Sequence, residues 1–391
     1  MRIGLLGYGK MGRGIFSLLA DAPVESVVFV RDPAKAADFN RKQEKRLRRA
    51  ASGGLFPESE LPQKLAAARF TSDFGDLAGC DVCIESVTEE FDLKVDLLRR
   101  LEEITSSNAV LSTNSSSFSP TRLAEHLRRP ERFCGFHFFH PIQLTSVVEI
   151  ISCAKTAPDA VERVRQASLA MQRRPVIVQD YAGSAINVIM TGLTVEALYI
   201  LEQGAALPTR IDAIVGKAAR LGPCEAVDAI GVAFFTDVLQ RTLEAYPFQL
   251  TVPELLHKLM RDGRDGRTAG GGLFLYKDDR PYDDRPEYYV NATQTHTPAG
   301  SPNDDDSLLE RIMMQIYACM FTLVEMGIGS LEDFCLGIQD LVGLKEDPLK
   351  AIRAAGSETL RADFERLHRT IGPRFDPQPI ARTLASIGAP M

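Results

Sequence analysis

The sequence predicts a doubly wound, mostly parallel α/β domain followed by an all-α region with a duplicated helical module. Three observations predict it. Short apolar runs alternate with helical patterns up to about Ala182, a glycine-rich turn joins the first strand to the first helix, and beyond that point the apolar spacing is helical only. With 391 residues, 45% of them hydrophobic, the chain is long enough for two or three domains. A formal charge of −7 argues against a nucleic-acid partner. No apolar run of about 18 residues is available to span a bilayer. Arg2 to Leu6 already reads as a strand, which leaves no room for a signal peptide before it, so a cytoplasmic protein with no membrane partner is expected. Seven scattered cysteines make no disulfide framework. Cys80 and Cys83 form a CxxC, but Asp81 to Val87 (DVCIESV) reads as a buried strand, and no second cysteine or histidine pair stands nearby to complete a metal site.

The first strand, RIGLL, runs into Gly7-Tyr8-Gly9-Lys10-Met11-Gly12 and then into the helical pattern IFSLLA. A G-x-G-x-x-G between strand and helix has a mechanical reading. Gly7 makes the tight turn, Gly9 admits a pyrophosphate, Gly12 lets the helix pack on the sheet, and the helix N-terminus, at Lys10 and Met11, faces the phosphates. This predicts a Rossmann-type dinucleotide site. The next strand, Val27 to Val30, ends at Arg31-Asp32. Asp32 would take the ribose 2′-hydroxyl of NAD, whereas Arg31 would favour the 2′-phosphate of NADP; one residue of register decides, so NAD is favoured and NADP stays open.

Lys42, Lys45, Arg46, Arg48 and Arg49 follow on a basic helical stretch, either a solvated face or a site for a phosphate-rich second ligand. Strand-like segments recur at 68–72, 81–87, 109–113, 133–138 and 147–151, with helical patterns at 91–104 and 120–128. Ligands on such sheets sit at the carboxyl ends of strands, where Glu85, Glu89, Asn114, Ser115 and Ser116 fall. The segment Phe133 to Ile151, FCGFHFFHPIQLTSVVEII, sets two apolar runs around a Pro-containing turn. Folded as antiparallel strands about Gln143, it puts His137 opposite Glu149 with Cβ atoms about 5 Å apart. That is the geometry of an imidazole base held by a carboxylate, the alternative being a half-buried histidine beside a chance acid.

Helical patterns then occupy Asn187 to Gln203, 208–221, 225–245 and 251–262, closed by the glycine-rich Gly263 to Tyr276. Residues 277–306 read as an exposed connector, and Ser307 to Gly329 repeats the earlier pattern. Leu201-Glu202-Gln203-Gly204 answers Val324-Glu325-Met326-Gly327, and Asp228-Ala229-Ile230-Gly231 answers Asp340-Leu341-Val342-Gly343. The expected domains are 1–182, 183–276 and 307–391, with 277–306 between the last two. A tandem module implies either a monomer with an internal pseudo-dimer or a homodimer.

The motifs GYGKMGRGI, Asn114-Ser115-Ser116-Ser117, CGFHFFHP followed by VVEII, Asn187 at the start of the first helical module, Gly222-Pro223 with Asp228 and Gly231, and RFDPQP near the C-terminus together carry a family resemblance. Over nearly its whole length the chain resembles the 3-hydroxyacyl-CoA dehydrogenases, in particular the dehydrogenase part of bacterial multifunctional fatty-acid oxidation proteins. The resemblance implies NAD-dependent interconversion of (S)-3-hydroxyacyl-CoA and 3-oxoacyl-CoA, with His137 as general base and Glu149 as its orienter. It gives Ser116 and Asn187 hydrogen bonds to the reacting oxygen or the thioester carbonyl, the lesser alternative for Asn187 being a cap on the helix it begins. Glu89, Lys94 and Asn114 would line the cofactor cleft. Lys42, Lys45 and Arg49 would meet the phosphates of CoA, or the acidic surface of an acyl-carrier protein in a biosynthetic variant; no metal is implied. His140 stands where the family usually has asparagine, Val188 where arginine commonly follows the catalytic asparagine, and AARL precedes Gly222-Pro223 in place of the usual G-[FYW]-P-M. A non-catalytic, crystallin-like relative is the remaining alternative.

Overall fold

The computed structural model describes residues 1–283, 289 and 303–387. The chain divides into two compact units, Met1–Ser184 and Ala185–Met391.

The first unit holds an eight-stranded sheet: β1 Arg2–Leu6, β2 Glu25–Phe29, β3 Ala68–Thr71, β4 Val82–Glu85, β5 Val110–Thr113, β6 Phe133–Phe138, β7 Val147–Ser152 and β8 Arg174–Gln179, in the order β3-β2-β1-β4-β5-β6-β7-β8. The first six strands in sequence are parallel; β7 runs antiparallel to β6, and β8 parallel to β7. Helices α1 Lys10–Asp21, α2 Pro33–Ser52, α3 Leu61–Ala67, α4 Phe91–Ile104, α5 Pro120–Ala124 and α6 Pro158–Ala170 complete the unit. Side chains alternate between two cores: Ile3, Leu5, Val28, Ile84 and Phe136 belong to one cluster, and Leu6, Val27, Phe29, Cys83 and Phe133 to the other. A parallel sheet is covered on both faces, so its strands must be apolar on both. Cys80 and Cys83 belong to this packing as buried thiols. Helix α6 and strand β8 go beyond the sequence reading. The first is alanine-rich with few bulky apolar residues, and the second opens on Arg-Pro.

The second unit comprises α7 Ala185–Glu202, α8 Pro208–Ala218, α9 Pro223–Ile230, α10 Val232–Ala245, α11 Glu254–Arg261, a hairpin of β9 Leu275–Lys277 and β10 Arg280–Asp283, then α12 Asp305–Glu325, α13 Leu331–Ile338, α14 Pro348–Thr370 and α15 Ala381–Ser386. The hairpin occupies the start of the expected connector, turning through Asp278 and Asp279 at φ 51° and 60°; 284–288 and 290–302 lie outside the described residues. The predicted helix over 225–245 is two helices, because Gly231 adopts φ 97°.

The duplication is structural. Helices α7 and α12 end identically: Gly204 and Gly327 take φ 67° and 71°, their N–H groups bond back to Leu201 and Val324, and the next N–H groups to Ile200 and Leu323. Glu202 then accepts the Leu255 N–H at the start of α11, and Glu325 the Thr383 N–H at the start of α15. The counterpart of Pro223 to Gly231 is Pro348 to Gly356 rather than the stretch ending at Gly343. Each begins a helix at proline and breaks it at a positive-φ glycine, 97° and 75°. By length and composition α7 and α12 each suffice to cross a membrane, yet 83% and 72% of those stretches are buried, which is how core helices behave. They approach closely at Gly192, where a Cβ would stand 2.6 Å from the Gln315 carbonyl oxygen.

One turn on, Glu196 is fully buried and receives Arg311 Nη2 at 2.6 Å and Arg374 Nε at 2.7 Å, the latter from the RFDPQP motif. Arg311 is only 2% exposed. Removing the carboxylate leaves a buried guanidinium without its counter-charge. Glu196→Ala should therefore lose about 3–5 kcal/mol of unfolding free energy in urea denaturation.

Candidate active site

Because β1, β4, β5 and β6 run parallel, their carboxyl ends share one edge of the first unit. That edge collects Gly7 to Gly9, Glu85 to Glu89, Asn114 to Ser117, and His137. At its centre the glycine turn is fixed by contact. Gly7 sits at φ 98°, and a Cβ there would be 2.3 Å from the Ser86 carbonyl oxygen; a Cβ on Gly12 would be 2.2 Å from that of Gly7. A Cβ on Gly9 would meet nothing within 4 Å. Gly9 is the N-cap of α1 and supplies no side-chain cap, so the first N–H groups of that helix, at Lys10, Met11 and Gly12, have no intrahelical acceptor. Open space in front of an uncapped helix N-terminus fits a dinucleotide pyrophosphate. Asp32 is exposed at the end of the second βα crossing and also caps α2, accepting from the Ala34 and Lys35 N–H groups at 2.9 and 3.3 Å through one oxygen. Arg31 beside it is exposed as well.

In the register of β6 on β7, His137 is directly opposite Glu149. His137 Nδ1 lies 2.9 Å from Glu149 Oε2, with the two residues 5% and 0% exposed. An ionised carboxylate only accepts, so Nδ1 carries the proton and Nε2 is left with its lone pair. His140, which follows Phe139, is exposed; burial first, and then the charge of Lys10, lower its imidazole pKa.

Asn114 joins the ends of three strands. Its N–H donates to the Glu85 carbonyl at 2.8 Å, and its Oδ1 accepts from the Phe138 N–H at 2.9 Å, next to the imidazole. In the loop that follows, Ser117 Oγ donates to Glu89 Oε1 at 2.6 Å and Ser115 Oγ donates to the same oxygen. Ser116 between them is exposed and has no side-chain hydrogen bond among the described residues. Burial pushes the Glu89 pKa up, but the hydrogen bonds from Ser115 and Ser117 and the charge of Lys94 outweigh it and hold it below the ordinary range. Lys94, read as lining the cofactor cleft, is 1% exposed, with Nζ 2.7 Å from Glu85 Oε1 and 3.0 Å from Glu89 Oε2. Glu85 is itself fully buried and accepts from Thr113 Oγ1 at 2.6 Å. The sequence places Glu85 at a strand end; its structural task is signalled only by an acid closing an apolar strand.

On α2, Lys42 is paired with Asp38 at 2.8 Å and Arg48 with Glu44 at 2.7 Å, while Lys45 and Arg49 are exposed and make no ion pair among the described residues. Arg41, Lys45, Arg48 and Arg49 line one shallow cationic groove. In the second unit Asn187 is exposed and is the third residue of α7, so it is not the cap of that helix.

The model of the 3-hydroxyacyl-CoA dehydrogenase NAD binding domain matches residues 2–181, and that of the family's C-terminal domain matches 183–276. The 3-hydroxybutyryl-CoA dehydrogenase of Mycobacterium tuberculosis is 30% identical over 283 residues, covering 70% of this chain and 98% of the relative. The chain belongs to the 3-hydroxyacyl-CoA dehydrogenase family. It is an NAD-dependent oxidoreductase by that membership, and its first unit is the family's NAD binding domain. The fatty acid oxidation complex subunit alpha of Vibrio parahaemolyticus is 26% identical over 96% of this chain, which spans 54% of that longer relative. Among solved structures, 3-hydroxybutyryl-CoA dehydrogenase from Escherichia coli shares the fold across both helical modules, with a TM-score of 0.80 at 21% identity over 98% of each chain. The (S)-3-hydroxybutyryl-CoA dehydrogenase from Ralstonia eutropha has a TM-score of 0.62 at 28% identity, covering 71% of this chain and 99% of its own.

The dehydrogenase glycines separate folding from binding. Gly9→Ala adds a methyl group where no protein atom stands, so its melting midpoint should match the parent. Its Kd for NADH, read by fluorescence titration, should rise at least about tenfold, because the methyl group fills space the pyrophosphate needs.

Proposed function

We propose that this family member interconverts (S)-3-hydroxyacyl-CoA and 3-oxoacyl-CoA, with His137 as the general base. The His137–Glu149 pair carries the reading. With Nδ1 donating to a fully buried carboxylate, Nε2 is the nitrogen available to take the substrate hydroxyl proton, and Glu149 stabilises the imidazolium that results. NAD, when bound, supplies the acceptor for the hydride leaving the same carbon. Ser116, the unengaged hydroxyl of its loop, donates to the reacting oxygen as charge develops there. Asn187 takes the role the resemblance gives it, a hydrogen bond to that oxygen or to the thioester carbonyl.

Gly7, Gly9, Lys10, Met11 and Gly12 hold the pyrophosphate, with Asp32 toward the ribose and Asn114 fixing the loop beside it. Asp32 favours NAD. Lys45 and Arg49, with Lys42 once released from Asp38, meet the phosphates of CoA. The C4 substrates named for several relatives suggest acetoacetyl-CoA as the first compound to assay. A cytoplasmic location and a monomer with its helical modules paired internally complete the reading.

Purified protein should oxidise NADH with acetoacetyl-CoA. His137→Ala and Glu149→Ala should each lower kcat by about 10²–10⁴-fold while leaving NADH affinity near that of the parent. Bound NADH with no turnover across short and long 3-oxoacyl-CoA thioesters would overturn this reading, and turnover restricted to carrier-protein thioesters would reassign the substrate.

A further inference from the structure

We propose that Phe139 is a positioning residue for His137, setting the plane of the imidazole ring while Glu149 sets its direction; the proposal rests on the reading of His137 given above. Side chains alternate along β6. Phe136 and Phe138 belong to the same core cluster, their ring centroids 4.7 Å apart, so His137 between them points to the other face, and Phe139 follows it there. The ring centroids of His137 and Phe139 are 4.8 Å apart and their planes meet at 71°, an edge-to-face contact. Phe139 takes no part in the two clusters that cover the sheet.

The contact supplies what the hydrogen bond cannot. A single N–H···O bond fixes the line from Nδ1 to Glu149 but lets the ring turn about that line, and the Nε2 lone pair turns with it. A second ring packed against the imidazole leaves it one orientation. Phe139 is itself held: its carbonyl accepts from Thr145 Oγ1 at 3.3 Å, and the Thr145 carbonyl accepts from Arg173 Nη1 at 2.8 Å. Between them Ile142 seats the same connection on α1, where a Cβ on Gly14 would stand 2.6 Å from its Cδ1. Phe139 is only 4% exposed, so it acts on the reaction through the imidazole rather than by touching a ligand. A displacement of about 1 Å at a reacting group is enough to cost as much as about 10²-fold in rate.

The test is a double-mutant cycle in the full chain with acetoacetyl-CoA and NADH. Phe139→Leu keeps an apolar side chain in the site and removes the flat ring. It should lower kcat about tenfold in the parent, with the KM for acetoacetyl-CoA and the Kd for NADH unchanged, and should lower it no further in a His137→Ala chain. The downfield proton resonance of His137 Nδ1–H, held by Glu149, should persist in the single variant. Parental kcat in Phe139→Leu overturns the proposal, as does a loss that multiplies undiminished onto His137→Ala. A rise of about tenfold in either KM or Kd overturns it too, by making Phe139 a ligand contact. Disappearance of the downfield resonance would assign Phe139 to the hydrogen bond itself and sink the division of labour with Glu149. His137→Ala with parental turnover would instead overturn the reading of His137. If Phe139→Leu does not fold, Phe139→Met, whose flexible chain fills an irregular space, carries the same cycle with the same outcomes.

Discussion

The hydrogen bond between His137 and Glu149 exists because β7 runs against β6. In a wholly parallel sheet, consecutive strands need a long crossover, and two residues twelve apart in sequence could not face each other across neighbouring strands. The reversal after Phe138 lets one short connection bring Glu149 back beside the imidazole, inside a sheet covered on both faces. The neighbours respect the same constraint. Asn114 binds the Phe138 N–H, so the serine loop is referenced to the strand that carries the base. The parallel strands then bring the glycine turn to the same edge.

Electrostatic organisation of that edge is hierarchical. A fully buried acid, Glu85, is balanced by a buried lysine, which steadies a half-exposed acid, Glu89, which holds two serines. Exposure rises from Glu85 through Lys94 to Glu89, and of the two serines Ser115 is buried and Ser117 exposed. A buried ion pair is weak evidence for stability, but one whose members also satisfy backbone and hydroxyl donors confines a loop to one conformation.

Much of this was legible in the sequence, for definite physical reasons. The twelve-residue interval between His137 and Glu149 fixes a register because strand periodicity is two, and the glycine spacing has one steric interpretation once a strand precedes it and a helix follows. The two carboxylate partners of Lys94 become visible only when the strand ends converge, because Glu85 and Glu89 stand nine and five positions before it with no helical or strand periodicity to link all three. The break at Gly231 was missed because the letter for glycine does not reveal the sign of φ. The Asp278-Asp279 turn passed as loop composition, although two consecutive left-handed residues are what a tight hairpin requires. The pairing of Gly231 with Gly343 followed short sequence similarity, whereas helix order and the preceding proline select Gly356.

Glu196 has a consequence beyond the stability of its helix. It lies on the first module, and Arg311 and Arg374, its partners, come from the second. Were the two copies separate polypeptides, this buried triad would form only as fast and as completely as their concentrations allowed. Within one chain the local molarity of each copy toward the other is set by the tether, so the pairing survives any dilution.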